Sequence, residues 1–393
     1  MAPDLLIDVT RLIWRRWAGR HPTGIDRVCL AYLEHYQTRA QAVIQYPNFR
    51  RILSPDISAS LFQLLLHDQS NFRQRLIVFG LRNIVRAVKS SPSLGRYYLN
   101  VGHTGLDHPG HIEWVRRSGV KPIYFVHDLI PITHPQFCRE GEAEKHKARM
   151  TAALQSAHGI IGNSQDTLAI LTKFAGSADL PVPKMTAAHL GTAEMAKTDN
   201  SRASFAQPYF VMLSTIEGRK NHTLLLDVWQ KMIASGVGDI PQLIIIGQRG
   251  WQCEDVTNRL DNDEQLKPHI AELSNCTDEE IARYLRGARA LLFPSFAEGY
   301  GMPLMEALIV GTPVIASDIA VFREIAGGVP EYLDPNDREM WLSTILQYQA
   351  EPSAEREKQQ RRISKLKPPS WQDHFNQIDF WLPTLPDGRG EAD

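Results

Sequence analysis

Two carboxylates eight positions apart, Glu298 and Glu306, flank a glycine-containing turn in the segment FPSFAEGYGMPLMEA at Phe293–Ala307. An apolar run ends at Pro294. Gly299, Tyr300 and Gly301 follow, and Met302, Pro303 and Leu304 open an apolar helical pattern. Proline suits the first turn of a helix, where its missing N–H has no intrahelical partner anyway. Glycines let a backbone approach a ligand closely, and a helix N-terminus presents N–H groups and the positive end of a dipole. The segment therefore predicts a diphosphate seat with two carboxylates beside it, able to bind the vicinal hydroxyls of a ribose or a hexose, with Glu306 in the first helical turn. On the residues alone, Glu306 reads equally well as a helix-start charge and Glu298 as a loop charge.

A second constellation is STIEGRKNH at Ser214–His222. Arg219 and Lys220 are adjacent cations following an apolar run. An arginine fork can grip a diphosphate, and a lysine adds a point charge. Two weaker signals lie earlier. His127 closes the apolar run of IYFVHDLIPI, where a lone histidine usually serves structure. Gly24, in Thr23-Gly24-Ile25, opens the first long helical pattern, a position from which backbone can approach phosphate.

These phrases together resemble the retaining glycosyltransferases of family 4. The resemblance rests on FAEGYGMPLMEAL followed by GTPVIASDI, on CTDEEIARYLRGARALLFPS before it, on STIEGRKNH, and on HDLIPI. It implies the GT-B fold and a nucleotide diphosphate sugar as donor. By the resemblance, Glu306 holds the ribose hydroxyls and Glu298 sits by the donor sugar. Arg219 and Lys220 stabilise the leaving diphosphate, with the Gly299–Leu304 turn as its seat. His127 touches the donor sugar at its C6 hydroxyl, and Gly24 lies near the diphosphate and acceptor. The phrase IIIGQRGW at Ile244–Trp251 falls near the base. No protein nucleophile, metal or other cofactor is implied. Asp261-Asn262-Asp263 lies in a polar run and reads as surface.

Elements able to position these residues are visible from end to end. Short apolar runs alternate with helical patterns, the signature of βαβ units and parallel sheets. Expected strands include Leu5–Thr10, Ala42–Tyr46, Tyr97–Val101, Pro122–His127, Gly159–Asn163 and Met185–Leu190. After a change in composition come Tyr209–Leu213, Gln242–Gly247, Ile270–Leu273, Ala290–Pro294 and Pro313–Ser317. The fold class is α/β: two Rossmann-like doubly wound domains around an interdomain cleft, with a C-terminal crossover helix. The expected division is 1–192 for the acceptor domain, 193–208 for a linker rich in Ala, Ser, Thr and Asn, 209–368 for the donor domain, and 369–393 for a terminal helix and tail.

The 393 residues carry 43 Lys+Arg against 44 Asp+Glu, but residues 1–110 hold 14 against 7. That basic stretch favours an anionic partner. RLIWRRWAGRHP, read as a long basic loop, places Trp14 and Trp17 among arginines. Phe72–Lys89 reads as an amphipathic helix with Arg75, Arg82, Arg86 and Lys89 on one face and Ile77, Leu81, Ile84, Val85 and Val88 on the other. It is either a core helix with a solvated face or a membrane-contacting one. No recognised nucleic-acid-binding pattern accompanies the charge. Four scattered cysteines, Cys29, Cys138, Cys253 and Cys276, predict a reducing compartment. The expected partners are a nucleotide sugar, a saccharide or lipid-linked acceptor, and an anionic membrane surface; nucleic acid is not expected. The expected place is cytoplasmic, peripheral on the inner face of the plasma membrane if the basic segments touch lipid. The activity expected is hexosyl transfer in surface polysaccharide assembly, with mannose from GDP ahead of glucose from UDP. A nucleotide-sugar epimerase or hydrolase and a non-catalytic nucleotide-sugar binding module are the alternatives.

Overall fold

The computed structural model describes residues 4–19, 22–46, 49–67, 71–87, 97–192, 201, 203, 207–236 and 238–386, and for 84–87 the backbone alone. Most of the expected linker, together with Val88 and Lys89, lies outside the described residues.

The chain divides into two compact units. The first comprises Met1–Ile132, Gly141–Leu190 and Trp371–Asp393; the second comprises Thr133–Glu140 and Gly191–Ser370. The first unit holds strands β1 (Leu5–Asp8), β2 (Ala40–Tyr46), β3 (Phe49–Ile52), β4 (Tyr97–Asn100), β5 (Lys121–Val126), β6 (Gly159–Gly162) and β7 (Met185–Ala187), in the order β3-β2-β1-β4-β5-β6-β7. All neighbours pair in parallel except β2 with β3, where Val43 lies opposite Ile52. The edge strand β3 goes unseen in the sequence because FRRI is short and carries two arginines.

The second unit holds β8 (Tyr209–Leu213), β9 (Gln242–Ile246), β10 (Ile270–Leu273), β11 (Leu291–Phe293), β12 (Val314–Ser317) and β13 (Glu331–Leu333). They form one parallel sheet in the order β10-β9-β8-β11-β12-β13. Such sheets are covered on both faces, so their central strands are near-continuous apolar runs. Every residue of β8 and β11 is buried. Trp229 and Trp341, both fully buried, anchor the helices that pack on one face. The strand order reverses between β8 and β11, and ligands in such sheets sit beyond the carboxyl ends of the strands at this reversal.

Four helices of the first unit matter below: α1 (Thr10–Trp17), α2 (Gly24–Tyr36), α3 (Pro55–Leu66) and α4 (Phe72–Ala87). The basic segment expected to be a loop is thus helical over α1. Its arginines explain both the misreading and the fold, because Arg11 Nε and Arg15 Nε bind the two oxygens of buried Asp26 at 2.7 and 2.9 Å. The terminal helix Trp371–Trp381 packs on the first unit. Phe375 and Ile378 are buried, and His374 Nε2 lies 3.0 Å from the Tyr32 hydroxyl.

Candidate active site

The loop after β8 and the loop after β11 emerge on either side of the reversal, and backbone joins them: Phe296 N–H donates to Arg219 C=O at 2.8 Å. The first loop ends in a short turn, Gly218–Lys220, and Asn221 in the left-handed region (φ 59°) starts the helix His222–Ser235. That geometry turns Arg219 and Lys220 toward the second loop. Arg219 Nη1 donates to Glu298 Oε2 at 3.0 Å and to Ala297 C=O at 2.9 Å. Lys220 Nζ binds Glu298 Oε1, which also accepts from Ser295 Oγ at 2.8 Å. On its other side Arg219 Nε meets Glu217 Oε1 at 2.7 Å.

Residues from two separate phrases of the sequence, Arg219 and Lys220 from one and Glu298 from the other, thus form one cluster, and Glu217 and Ser295 complete it. Glu217 stood in the phrase that drew attention to the cations, yet nothing in its spacing announced the ion pair. Its side chain is 2% exposed, and its second oxygen, Oε2, is buried without a hydrogen-bond partner.

Burial dominates the electrostatics. It pushes the Glu217 carboxyl up, against the pull of Arg219 and Lys220. Burial also pushes Glu298 up, but the Lys220 and Arg219 charges and the bonds from Lys220 and Ser295 outweigh it and hold the carboxyl at about 2. Lys220 is lowered by burial and by the Arg219 charge, against the pull of Glu298. With both carboxylates ionised the two cations are neutralised by two anions.

The helix Met302–Ile309 follows, with Gly301 at its N-cap. Gly301 has φ +108°, and a Cβ there would lie 2.7 Å from Phe322 Cε1. Packing within the unit therefore requires this glycine, a different reason from the ligand approach expected for it. Tyr300 and Leu304 are 5% and 0% exposed, so their side chains belong to the core. Met302 and Pro303 are half-buried and Gly299 is half-exposed in the turn. Glu306 is buried but falls beyond the first helical turn, since the helix begins at Met302 and its first turn contains no acid.

Arg249 of IIIGQRGW binds Asp261 and Glu272 at 2.7 Å each. Asp263 accepts from Gln230 at 2.7 Å and from the Gln265 N–H at 3.0 Å.

In the first unit, His127 follows β5 and is buried. Its Nε2 lies 2.6 Å from Val101 C=O. A carbonyl only accepts, so Nε2 carries the proton and Nδ1 keeps its lone pair. Burial lowers this imidazole to about 4, so it is neutral at pH 7. His127 can accept a hydroxyl hydrogen at Nδ1 and is no acid. Gly24 is the first residue of α2, after Thr23, whose N–H donates to Asp26 Oδ2 at 2.8 Å. Asp26 and its two arginines thus occupy the start of this helix.

Two doubly wound units of this kind are the GT-B arrangement, and solved structures agree over nearly the whole chain. Sucrose-phosphate synthase from Thermosynechococcus elongatus matches with a TM-score of 0.65 at 16% identity, covering 98% of this chain and 99% of that one. HepE from Anabaena, in complex with UDP, matches at 0.63 and 14% identity, covering 98% and 100%. Residues 197–365 match the family described as Glycosyl transferases group 1. The Escherichia coli serotype-specific mannosyltransferase WbdA is 31% identical over 231 residues, 55% of this chain and 28% of its own length. The Escherichia coli O-antigen chain mannosyltransferase B is 32% identical over 166 residues, 42% of this chain and 43% of its own. The chain spans less than half the length of both relatives.

Proposed function

We propose that the chain is a retaining, metal-independent hexosyltransferase. It moves mannose from a nucleoside diphosphate, GDP ahead of UDP, to a saccharide or lipid-linked acceptor in surface polysaccharide assembly. The observation that carries this reading is the Arg219–Lys220–Glu298 cluster at the β8/β11 reversal, directly ahead of a helix N-terminus. Two cations there, Lys220 buried and Arg219 half-buried, can take the charge that develops on a departing diphosphate, in a setting where such interactions are strong. Glu306 serves the ribose, Glu298 the donor sugar, and neutral His127 accepts from a sugar hydroxyl. The leaving diphosphate oxygen takes the proton of the incoming hydroxyl, so positioning and charge stabilisation are the protein's work. The mannosyltransferase names of the relatives above support the choice of sugar.

The test incubates the purified chain with labelled GDP-mannose or UDP-glucose, with and without acceptor lipid extract and EDTA. Label moving from GDP-mannose to acceptor in EDTA supports the reading. Donor consumed without acceptor would favour an epimerase or hydrolase instead. Absence of donor binding or consumption with either nucleotide sugar would sink it.

A further inference from the structure

Nine large apolar side chains are exposed among the described residues, and six of them, Trp14, Tyr46, Phe49, Ile77, Val78 and Leu81, sit on α1, the β2–β3 hairpin and α4. Single exposed apolar residues need no explanation; such a concentration does. The three elements are neighbours. Trp14 faces Tyr46 with ring centroids 6.3 Å apart, and Tyr46 stacks on Phe49 at 5.8 Å. Arg73 Nε of α4 donates to the Trp17 carbonyl of α1 at 2.6 Å, and the Arg16 guanidinium lies 5.8 Å from the Phe72 ring centroid.

Of the two alternatives for helix α4, burial of its Ile77/Leu81 face in the core does not hold. Its packed residues are Phe72, Leu76, Phe79 and Asn83, whereas Ile77 and Leu81 are 50% and 68% exposed. Ile84, Val85 and Arg86 lie outside the described side chains, and Val88 and Lys89 outside the described residues.

Charge selects the occupant. Residues 10–17, 40–52 and 72–87 contain nine arginines and no Asp or Glu. Arg11 and Arg15 are engaged by Asp26, and Arg50 is buried. Arg73, Arg75 and Arg82 are exposed along α4. Interleaved aromatic, aliphatic and arginine side chains match the boundary between lipid headgroups and acyl chains. Apolar groups enter that boundary while guanidinium groups meet phosphate. Nucleic acid would use the arginines and could stack on the rings, but would leave the aliphatic Ile77, Val78 and Leu81 in water. The site lies at a telling edge: α1 begins two residues after β1 ends and the hairpin follows β2, so Trp14, Tyr46 and Phe49 arise from the same carboxyl edge of the sheet as His127 after β5.

We propose that α1, the β2–β3 hairpin and α4 dock the chain on an anionic phospholipid surface. A lipid-linked acceptor is thereby presented at the carboxyl edge of the first sheet. The acceptor clause rests on the transferase reading; the docking itself does not.

The experiment sediments the full chain with vesicles of phosphatidylcholine alone or with about one third phosphatidylglycerol, over a salt series. Expected is binding to the anionic vesicles only, weakened at least tenfold between low and high salt. The variants Leu81→Glu and Arg75→Glu/Arg82→Glu should each lose at least tenfold, with unchanged melting temperatures and unchanged stabilisation by nucleotide sugar. That last control separates failure of docking from failure of the donor site. The proposal falls if neutral and anionic vesicles bind equally or if neither binds. It falls also if duplex DNA binds in place of vesicles, or if light scattering shows a dimer that Leu81→Glu dissociates.

Discussion

Replacing Glu298 by Gln removes one anion from between two cations and leaves Lys220, 8% exposed on its side chain, without its carboxylate. Breaking a buried pair from one side costs roughly 3–5 kcal/mol, because the remaining charge stays desolvated. The depressed carboxyl gives an independent figure. A fall from 4.5 to about 2 amounts to about 3 kcal/mol of stability from this group at neutral pH. For a domain of 150–250 residues each kcal/mol is worth roughly 2–4 °C, so the melting temperature should drop by on the order of 6–20 °C. A nucleoside diphosphate brings back negative charge. The reasoning therefore predicts that saturating GDP or UDP, whichever the wild type binds, raises the melting temperature of Glu298→Gln more than that of the wild type, while sugar transfer falls. Scanning calorimetry with and without nucleotide measures both quantities. A variant as stable as the wild type, or one whose nucleotide shift shrinks, would refute the idea that Glu298 holds the cations for the diphosphate.

Other outcomes follow from the same geometry. Glu217 is raised and pairs with Arg219, so bound diphosphate should draw a proton onto it. Nucleotide affinity should then rise as pH falls, and Glu217→Gln should flatten that dependence in titration calorimetry while raising KM more than it lowers kcat. Gly301→Ala meets both a positive φ and the Phe322 ring and should cost about 1–3 kcal/mol in chemical denaturation. His127, His111 and His222, lowered to about 4, 3 and 3, bind fewer protons folded than unfolded below pH 6.5. Stability should therefore climb as pH rises from about 4 to 6.5, partly offset by Asp8, which burial raises to about 6 and which acts in the opposite sense. Because His127, lowered to about 4, is neutral from pH 5 to 8, the rate profile of His127→Ala over that range should keep the wild-type shape at a lower amplitude.

The donor-side residues were legible because each lies where a local pattern changes. Arg219 and Lys220 end one apolar run, and Glu298 follows another. Their direct pairing was not legible, since it spans 78 residues and depends on β8 and β11 being neighbours. The resemblance supplied roles that spacing alone left open for Glu298 and Glu306. Helix α1 escaped because its arginines mimic a solvated loop until Asp26 is placed opposite them. For α4, periodicity identified a helix but left open whether its Ile77/Leu81 face turns inward or outward. Phe72, Leu76 and Phe79 form as good an apolar stripe as Ile77 and Leu81, and only the packing of α1 and α3 against it decides between them.

The return of helix Trp371–Trp381 to the first unit sets an order of events during synthesis. Tyr32, Tyr36 and Phe125 meet His374 or Phe375 only through that helix. At about 5–20 residues per second, the stretch Gly191–Ser370 takes roughly 10–40 s to emerge. Throughout that interval the first unit waits on the ribosome with an aromatic face uncovered, while the second can already close its own sheet. The unit begun first is completed last, and the nascent chain is most vulnerable to aggregation and chaperone capture in its oldest part.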